Sequence, residues 1–229
     1  MNTIIITGAN GNLGTVVTKK FLDKGFQVIA TVIDAAAKKD LTEHERLQTE
    51  IVNLTNEDET TRFTRLVLDK YKRVDAALML VGGFAAGNIS MTSVSEIKKQ
   101  IALNFETAYN LSRPLFQHMT ENDYGRLVYV GARPALNPEA GKNMLAYALG
   151  KSLLFSLAEM LNEEAKGKNV TCSVIVPSTI DTPANRKAMP ETDPENWVKA
   201  EQIADVLEFI ISSQGAALRE TVLKVYNNS

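Results

Sequence analysis

The chain has 229 residues, 45% of them hydrophobic and 23% charged, with a formal net charge of −2. That composition suits a globular protein with a full core, and the near-neutral balance, without any run of like charge, excludes the basic field that attracts nucleic acid. Met1 leads directly into a β-branched apolar run and no apolar stretch is long enough to span a bilayer, so a cytoplasmic protein without membrane contact is expected.

Short β-branched runs alternate with longer stretches of helical periodicity from end to end. This predicts an α/β fold, a doubly wound parallel sheet of seven strands with helices on both faces. The strands are expected at 3–7, 27–33, 47–52, 76–81, 126–131, 170–176 and 221–226. No Gly/Ser-rich or Pro-rich linker interrupts the series, so residues 1–229 are read as one domain.

Between the first strand and the first helix lies Thr7-Gly8-Ala9-Asn10-Gly11-Asn12-Leu13-Gly14. Glycines at 8, 11 and 14 let the backbone turn sharply and let a pyrophosphate approach the amides at a helix N-terminus; position between strand and helix, more than spacing, separates this from a plain glycine turn. Asp34, after the second strand, suits the two ribose hydroxyls of an adenosine and repels a 2′-phosphate, which predicts NAD(H) over NADP(H). It equally suits a turn cap, and Lys38 and Lys39 follow closely. Asn53 and Leu54 are placed to flank an adenine, and Asn56 with Glu59 reads as a capping pair.

After the fourth strand, Val81, Gly82 and Gly83 leave room for a flat ligand and Phe84 supplies an aromatic wall. Ser93 with Glu96 opens a long helix to about Met119, in which Asn104 lies between Leu103 and Phe105. Such an amide is either a buried structural group or the holder of a water in a proton chain. In the helical run from Met144 to Ala165, Tyr147 and Lys151 stand four apart and share a face. A cation beside a phenol favours the phenolate and lowers a pKa otherwise near ~10, which suits a group that exchanges a proton near neutrality. Cys172, in the apolar run 170–176, reads as a buried strand thiol. His44 and His118 lack companions, so no metal is expected. Pro177, Ser178, Ile180 and Thr182 follow the sixth strand, and the Pro-bearing polar stretch 182–197 reads as a mobile lid.

With these residues in order the chain resembles the short-chain dehydrogenase/reductase family over nearly its whole length. The resemblance implies a Rossmann-type domain that holds NAD(P)(H) on Gly8, Asn10, Gly11, Asn12, Leu13, Gly14, Asp34, Asn53, Leu54, Val81, Gly82, Gly83, Pro177, Ser178, Ile180 and Thr182. It also implies that Tyr147 donates the proton, that Lys151 binds the nicotinamide ribose as well, and that Asn104 completes the catalytic set. Val81–Asn88 and Asp181–Pro190 are similar to the dihydropteridine reductase branch, and Ala132 stands at the end of the fifth strand where most members carry serine. Two departures are visible. Asp34 lies one residue beyond the usual acid position, where Ile33 falls, and the stretch from Ala132 to Tyr147 is somewhat longer than in that branch.

The expected activity is therefore hydride transfer from a reduced nicotinamide to a flat conjugated acceptor, quinonoid dihydropterin first. A ketone gains from a second hydroxyl as charge develops on its oxygen, whereas a quinonoid acceptor does not need it. Two alternatives stand beside this reading: a short-chain reductase of another quinone, imine or carbonyl compound, and a catalytically silent NAD(P)-binding sensor or scaffold, which would have no need of Tyr147. The two longest helices carry more apolar residues than one sheet-facing stripe requires, among them Leu153, Leu154, Phe155, Leu157 and Met160, which predicts a homodimer or homotetramer.

Overall fold

The computed structural model describes residues 2–228. Seven strands, β1 (Thr3–Thr7), β2 (Gln27–Val32), β3 (Leu47–Ile51), β4 (Ala76–Met79), β5 (Gly125–Val130), β6 (Val170–Pro177) and β7 (Val222–Val225), form one parallel sheet in the order β3-β2-β1-β4-β5-β6-β7. Between them run α1 (Asn12–Asp23), α2 (Ala35–Lys39), α3 (Glu57–Tyr71), α4 (Val94–Ile101), α5 (Thr107–Glu121), α6 (Arg133–Leu136), α7 (Pro138–Gly141), α8 (Leu145–Glu164), α9 (Pro183–Ala188) and α10 (Ala200–Ile211). Strand order reverses between β1 and β4, the place where open sheets of this kind leave a crevice at the carboxyl ends of their strands.

Both faces of the sheet are covered, which is why its inner strands read as largely apolar runs, while the edge strands β3 and β7 are partly exposed. Ile4 and Ile6 join the core under α1 and α10, while Ile5, between them, joins the core under α3, α5 and α8. Among the described residues no helix is long and apolar enough to cross a membrane.

Two element boundaries differ from the sequence expectation for identifiable reasons. β4 stops at Met79 because the amides of Leu80 and Val81 turn to the Thr7 hydroxyl, at 2.9 and 3.2 Å, instead of to a neighbouring strand. The expected single helix to Met119 is interrupted by a five-residue π stretch, Ala102–Glu106, before continuing as α5. There the Asn104 side chain donates to the Gln100 carbonyl at 3.1 Å, in competition with the regular backbone ladder.

Helix α8 buries Ala146, Gly150, Leu154 and Ala158, one face at a spacing of four, with Leu154 and Ala158 in the core on one side of the sheet and Gly150 against the Gln100 carbonyl of α4. This corrects the use made of its apolar residues: Leu154 belongs to the core, and Phe155 and Leu157 lean on it, while Met160 is exposed. A groove between α5 and α8 is lined by Tyr109, Leu157 and Leu161 together with the buried Phe116.

Candidate active site

Tyr147 and Lys151 lie in the first two turns of α8, Lys151 against Val130 at the end of β5 and Gly82 beyond β4, and Tyr147 against Phe84. Lys151 is only 4% exposed, and its Nζ donates to the Val130 carbonyl at 2.8 Å. The half-buried Tyr147 ring meets Phe84 edge to face, with centroids 5.4 Å apart. Between phenol and ammonium there is neither a hydrogen bond nor an ion pair, and burial alone acts on each. It pushes Tyr147 up to about 12 and Lys151 down to about 8. The expectation that Lys151 acidifies Tyr147 is thereby corrected for the ligand-free chain. The ammonium is aimed at a carbonyl and both groups have lost water, so each is shifted toward its neutral form, though Lys151 still carries its charge at neutral pH.

Asn104 resolves toward the structural reading. Its Oδ1 accepts from the Gly83 amide at 3.0 Å, and its Nδ2 donates to the Gly83 carbonyl at 3.0 Å and to Gln100 Oε1 at 2.9 Å. The side chain is thus engaged in clamping the Gly82-Gly83 turn from inside the π stretch. A Cβ on Gly82 would stand 2.8 Å from both Asn104 Oδ1 and Lys151 Nζ. Only a bare backbone lets this turn lie against the lysine. Gln100 escapes a reading for motifs, although its position four residues before Asn104 on a helix is the available signal.

The glycine loop is built tightly. Gly8 has φ +62°, and a Cβ on Gly14 would stand 2.1 Å from the Gly8 carbonyl oxygen. Helix α1 starts behind Gly11, whose missing side chain leaves the first-turn amides of Asn12, Leu13 and Gly14 without a side-chain cap. By contrast α2, α3 and α4 are capped by Asp34, Asn56 and Ser93. Asn10 turns aside, its Nδ2 donating to Asp40 at 3.4 Å.

Other expected site residues reach the same edge with their groups partly engaged. Asp34 Oδ1 caps α2 by accepting from Ala37 at 2.8 Å, the turn-cap reading of that residue. Asn53 Oδ1 accepts from the amide and hydroxyl of Thr55. Leu54 does not present its side chain to an adenine: it is 4% exposed, packed in the α3–α5 core, and its carbonyl accepts from Asn110. Val81 packs on Gly8. Pro177 ends β6, and the Ser178 hydroxyl donates to the Tyr226 carbonyl at 2.8 Å. The Ile180 carbonyl accepts from Asn185, and the Thr182 hydroxyl caps α9 by accepting from the Asn185 amide. The lid stretch is folded: Asp181 takes two hydrogen bonds from Arg186, at 2.6 and 2.8 Å, and the far end is anchored by the buried Trp197.

These residues fit a dinucleotide. The uncapped amides of α1 suit a pyrophosphate. Lys151 is a buried ammonium that meets one carbonyl and no carboxylate, so its remaining donors call for acceptors such as ribose hydroxyls. A sequence profile of the short chain dehydrogenases matches residues 2–193. The chain belongs to this family.

Other short-chain dehydrogenases and their structural relatives agree at low identity. The dihydropteridine reductase of Dictyostelium discoideum is 27% identical over 89% of this chain and 85% of its own length. A 3-oxoacyl-(acyl-carrier-protein) reductase of Buchnera aphidicola is 24% identical over 97% and 95%. Among solved structures, ElxO with NADP bound superposes with a TM-score of 0.90 at 17% identity, covering 98% of this chain and 96% of its own. A 4-hydroxyisoleucine dehydrogenase complexed with NADH gives 0.85 at 25% identity, covering 99% and 97%. As a short-chain dehydrogenase, this protein is an NAD(P)-dependent oxidoreductase.

Proposed function

We propose that the enzyme reduces a flat, conjugated acceptor of the quinonoid dihydropterin kind, with NADH as reductant. Ala132 is the observation that carries this reading. It follows β5 in extended backbone and is 4% exposed, so the place of a polarising hydroxyl holds a methyl group. An unactivated ketone would lack a second donor as its oxyanion develops, whereas a conjugated acceptor takes hydride without one.

When bound, a reduced nicotinamide supplies the hydride. Lys151 would hold the nicotinamide ribose, the α1 amides the pyrophosphate, and Phe84 would form a wall for the acceptor ring. Tyr147 keeps its proton at neutral pH because burial holds its phenol up near 12, so it stands loaded as a donor. The Dictyostelium relative, a dihydropteridine reductase by name, supports this acceptor class. Asp34 supports an unphosphorylated ribose, against Lys38 and Lys39 on the next turn.

The test is oxidation of NADH and of NADPH with quinonoid dihydropterin, simple quinones and simple ketones side by side. Pterin and quinones should turn over far faster than ketones, with NADH ahead. Ketones reduced as fast as the pterin would overturn the reading. Tyr147→Phe should lower kcat about 10²-fold or more with coenzyme KM unchanged, the size of a general-acid contribution.

A further inference from the structure

A second charged group lies at the carboxyl ends of the strands, beside the site of Tyr147 and Lys151. Lys151 is fixed to Val130 at the end of β5, and Tyr147 lies one turn before it on α8. Arg133 follows Ala132 directly, and its guanidinium lies 5.1 Å from the centroid of the Tyr226 ring. Tyr226 comes just after β7, and the pairings Val130↔Ile175 and Pro177↔Val225 put it two strands along from Val130. At about 4.8 Å per strand, the strand ends at Val130 and Tyr226 lie roughly 10 Å apart, and Arg133 reaches across that gap from the end of β5. Pro177 and Ser178 lie between those ends, and the Ser178 hydroxyl holds the Tyr226 backbone.

Among the described residues Arg133 pairs with no carboxylate and its guanidinium donates no hydrogen bond. The other arginines that are not exposed are engaged, Arg46 with Glu45 and Arg126 with Asn169. The contact with the Tyr226 ring holds the guanidinium in place without using its N–H groups. A fork held in this way suits a group with two anionic oxygens.

We propose that Arg133, held by Tyr226, recognises an anionic substituent of the acceptor, a carboxylate or a phosphate, on the side of its ring system away from the atom that takes hydride. This rests on the reading of Tyr147 as proton donor. It makes Arg133 a specificity-determining residue and narrows the acceptor to a conjugated ring bearing an acidic arm.

The probes are 2-methyl-1,4-naphthoquinone and its derivatives carrying propionate or phosphonate on a saturated arm. Affinity is measured by calorimetry on the enzyme saturated with NAD+, and turnover is measured with NADH. The anionic quinones should bind about tenfold or more tightly than the neutral one, as for a hydrogen bond to a charged group. Whichever arm binds better identifies the anion. Arg133→Met should abolish the preference while leaving kcat/KM for the neutral quinone and KM for NADH unchanged. Arg133→Lys should restore part of it, since an ammonium lacks the fork. A wild-type enzyme without the preference, or Arg133→Met retaining it, overturns the proposal. So does Arg133→Met slowing neutral and anionic quinones equally, which would make the stack merely structural. Full activity in Tyr147→Phe with every quinone would instead sink the proton-donor reading, and the binding preference would show separately whether Arg133 holds the anion.

Discussion

Replacing Lys151 by methionine should stabilise the coenzyme-free protein at neutral pH while disabling the enzyme. Burial lowers Lys151 from 10.5 to about 8, and at about 1.4 kcal/mol for each tenfold the buried ammonium costs about 3 kcal/mol. The sign follows from proton counting. Below pH 8 the lysine is charged in both states and the whole penalty is present. Between about 8 and 10.5 the unfolded chain binds the extra proton, so wild-type stability rises with pH, and above 10.5 the penalty is gone. Methionine removes the penalty but leaves the Val130 carbonyl without its donor, about 1 kcal/mol in the other direction. The net gain at pH 7 is about 2 kcal/mol, or about 4 to 8 °C in Tm for a domain of this size. Thermal and urea unfolding at pH 7 and pH 10, with NADH kinetics on the same samples, measure both sides. The advantage should shrink steadily with pH, coenzyme KM should rise and kcat should fall. A variant less stable than wild type at pH 7, or an offset that does not change with pH, would refute the reasoning.

Ala132→Ser returns a hydroxyl to a buried position behind β5, and should leave pterin or quinone reduction nearly unchanged while raising any weak ketone activity. Equal effects on both acceptor classes would count against the role given to that position. The groove between α5 and α8 presents Tyr109, Leu157 and Leu161, so sedimentation at micromolar concentration should show a dimer or tetramer, and Leu161→Glu should shift it toward monomer. A wild-type chain that sediments only as monomer would contradict this.

How legible each feature is in the sequence follows the range of the interactions that make it. The five inner strands can be read because each is buried on both faces, and burial writes itself as runs such as Ile4-Ile5-Ile6 and Val174-Ile175-Val176, whereas the edge strands β3 and β7 are partly exposed and carry polar residues such as Gln48 and Lys224. Tyr147 and Lys151 share a face by helical spacing alone. The break at Asn104 is only half legible in that way. Its back-bond to the Gln100 carbonyl is local, but the bonds to Gly83 that hold the side chain there come from twenty-one residues away, and nothing in Leu103-Asn104-Phe105 announces them. The proton affinities are hidden for the same reason, since the desolvation of Tyr147 and Lys151 is imposed by Phe84, Gly82 and Val130. Asp34 lies between these cases. Its cap on Ala37 is local and visible, whereas a ribose contact depends on a partner from outside the chain.

The two shifted groups also set the pH at which this enzyme should work. Reduction needs a phenol that still carries its proton, and Tyr147 carries it to about 12, so the donor itself imposes no limit through the neutral and mildly alkaline range. Lys151 does, because it loses its charge near pH 8 in the unliganded chain, and a charge-assisted hydrogen bond to a ribose hydroxyl is roughly twice as strong as a neutral one. For the free enzyme, kcat/KM for NADH should therefore be level below pH 8 and fall above it, with the loss appearing in KM before kcat. Oxidation in the reverse direction needs the phenolate, which this buried site disfavours, so at neutral pH it should be much slower than reduction. The contrast between the two directions separates the residues. A reductive profile that keeps its inflection near 8 in Lys151→Met would show that another group titrates there. A wild-type profile flat to pH 10 would show that the ammonium keeps its charge despite burial, and that the polar surroundings of Nζ outweigh the desolvation described above.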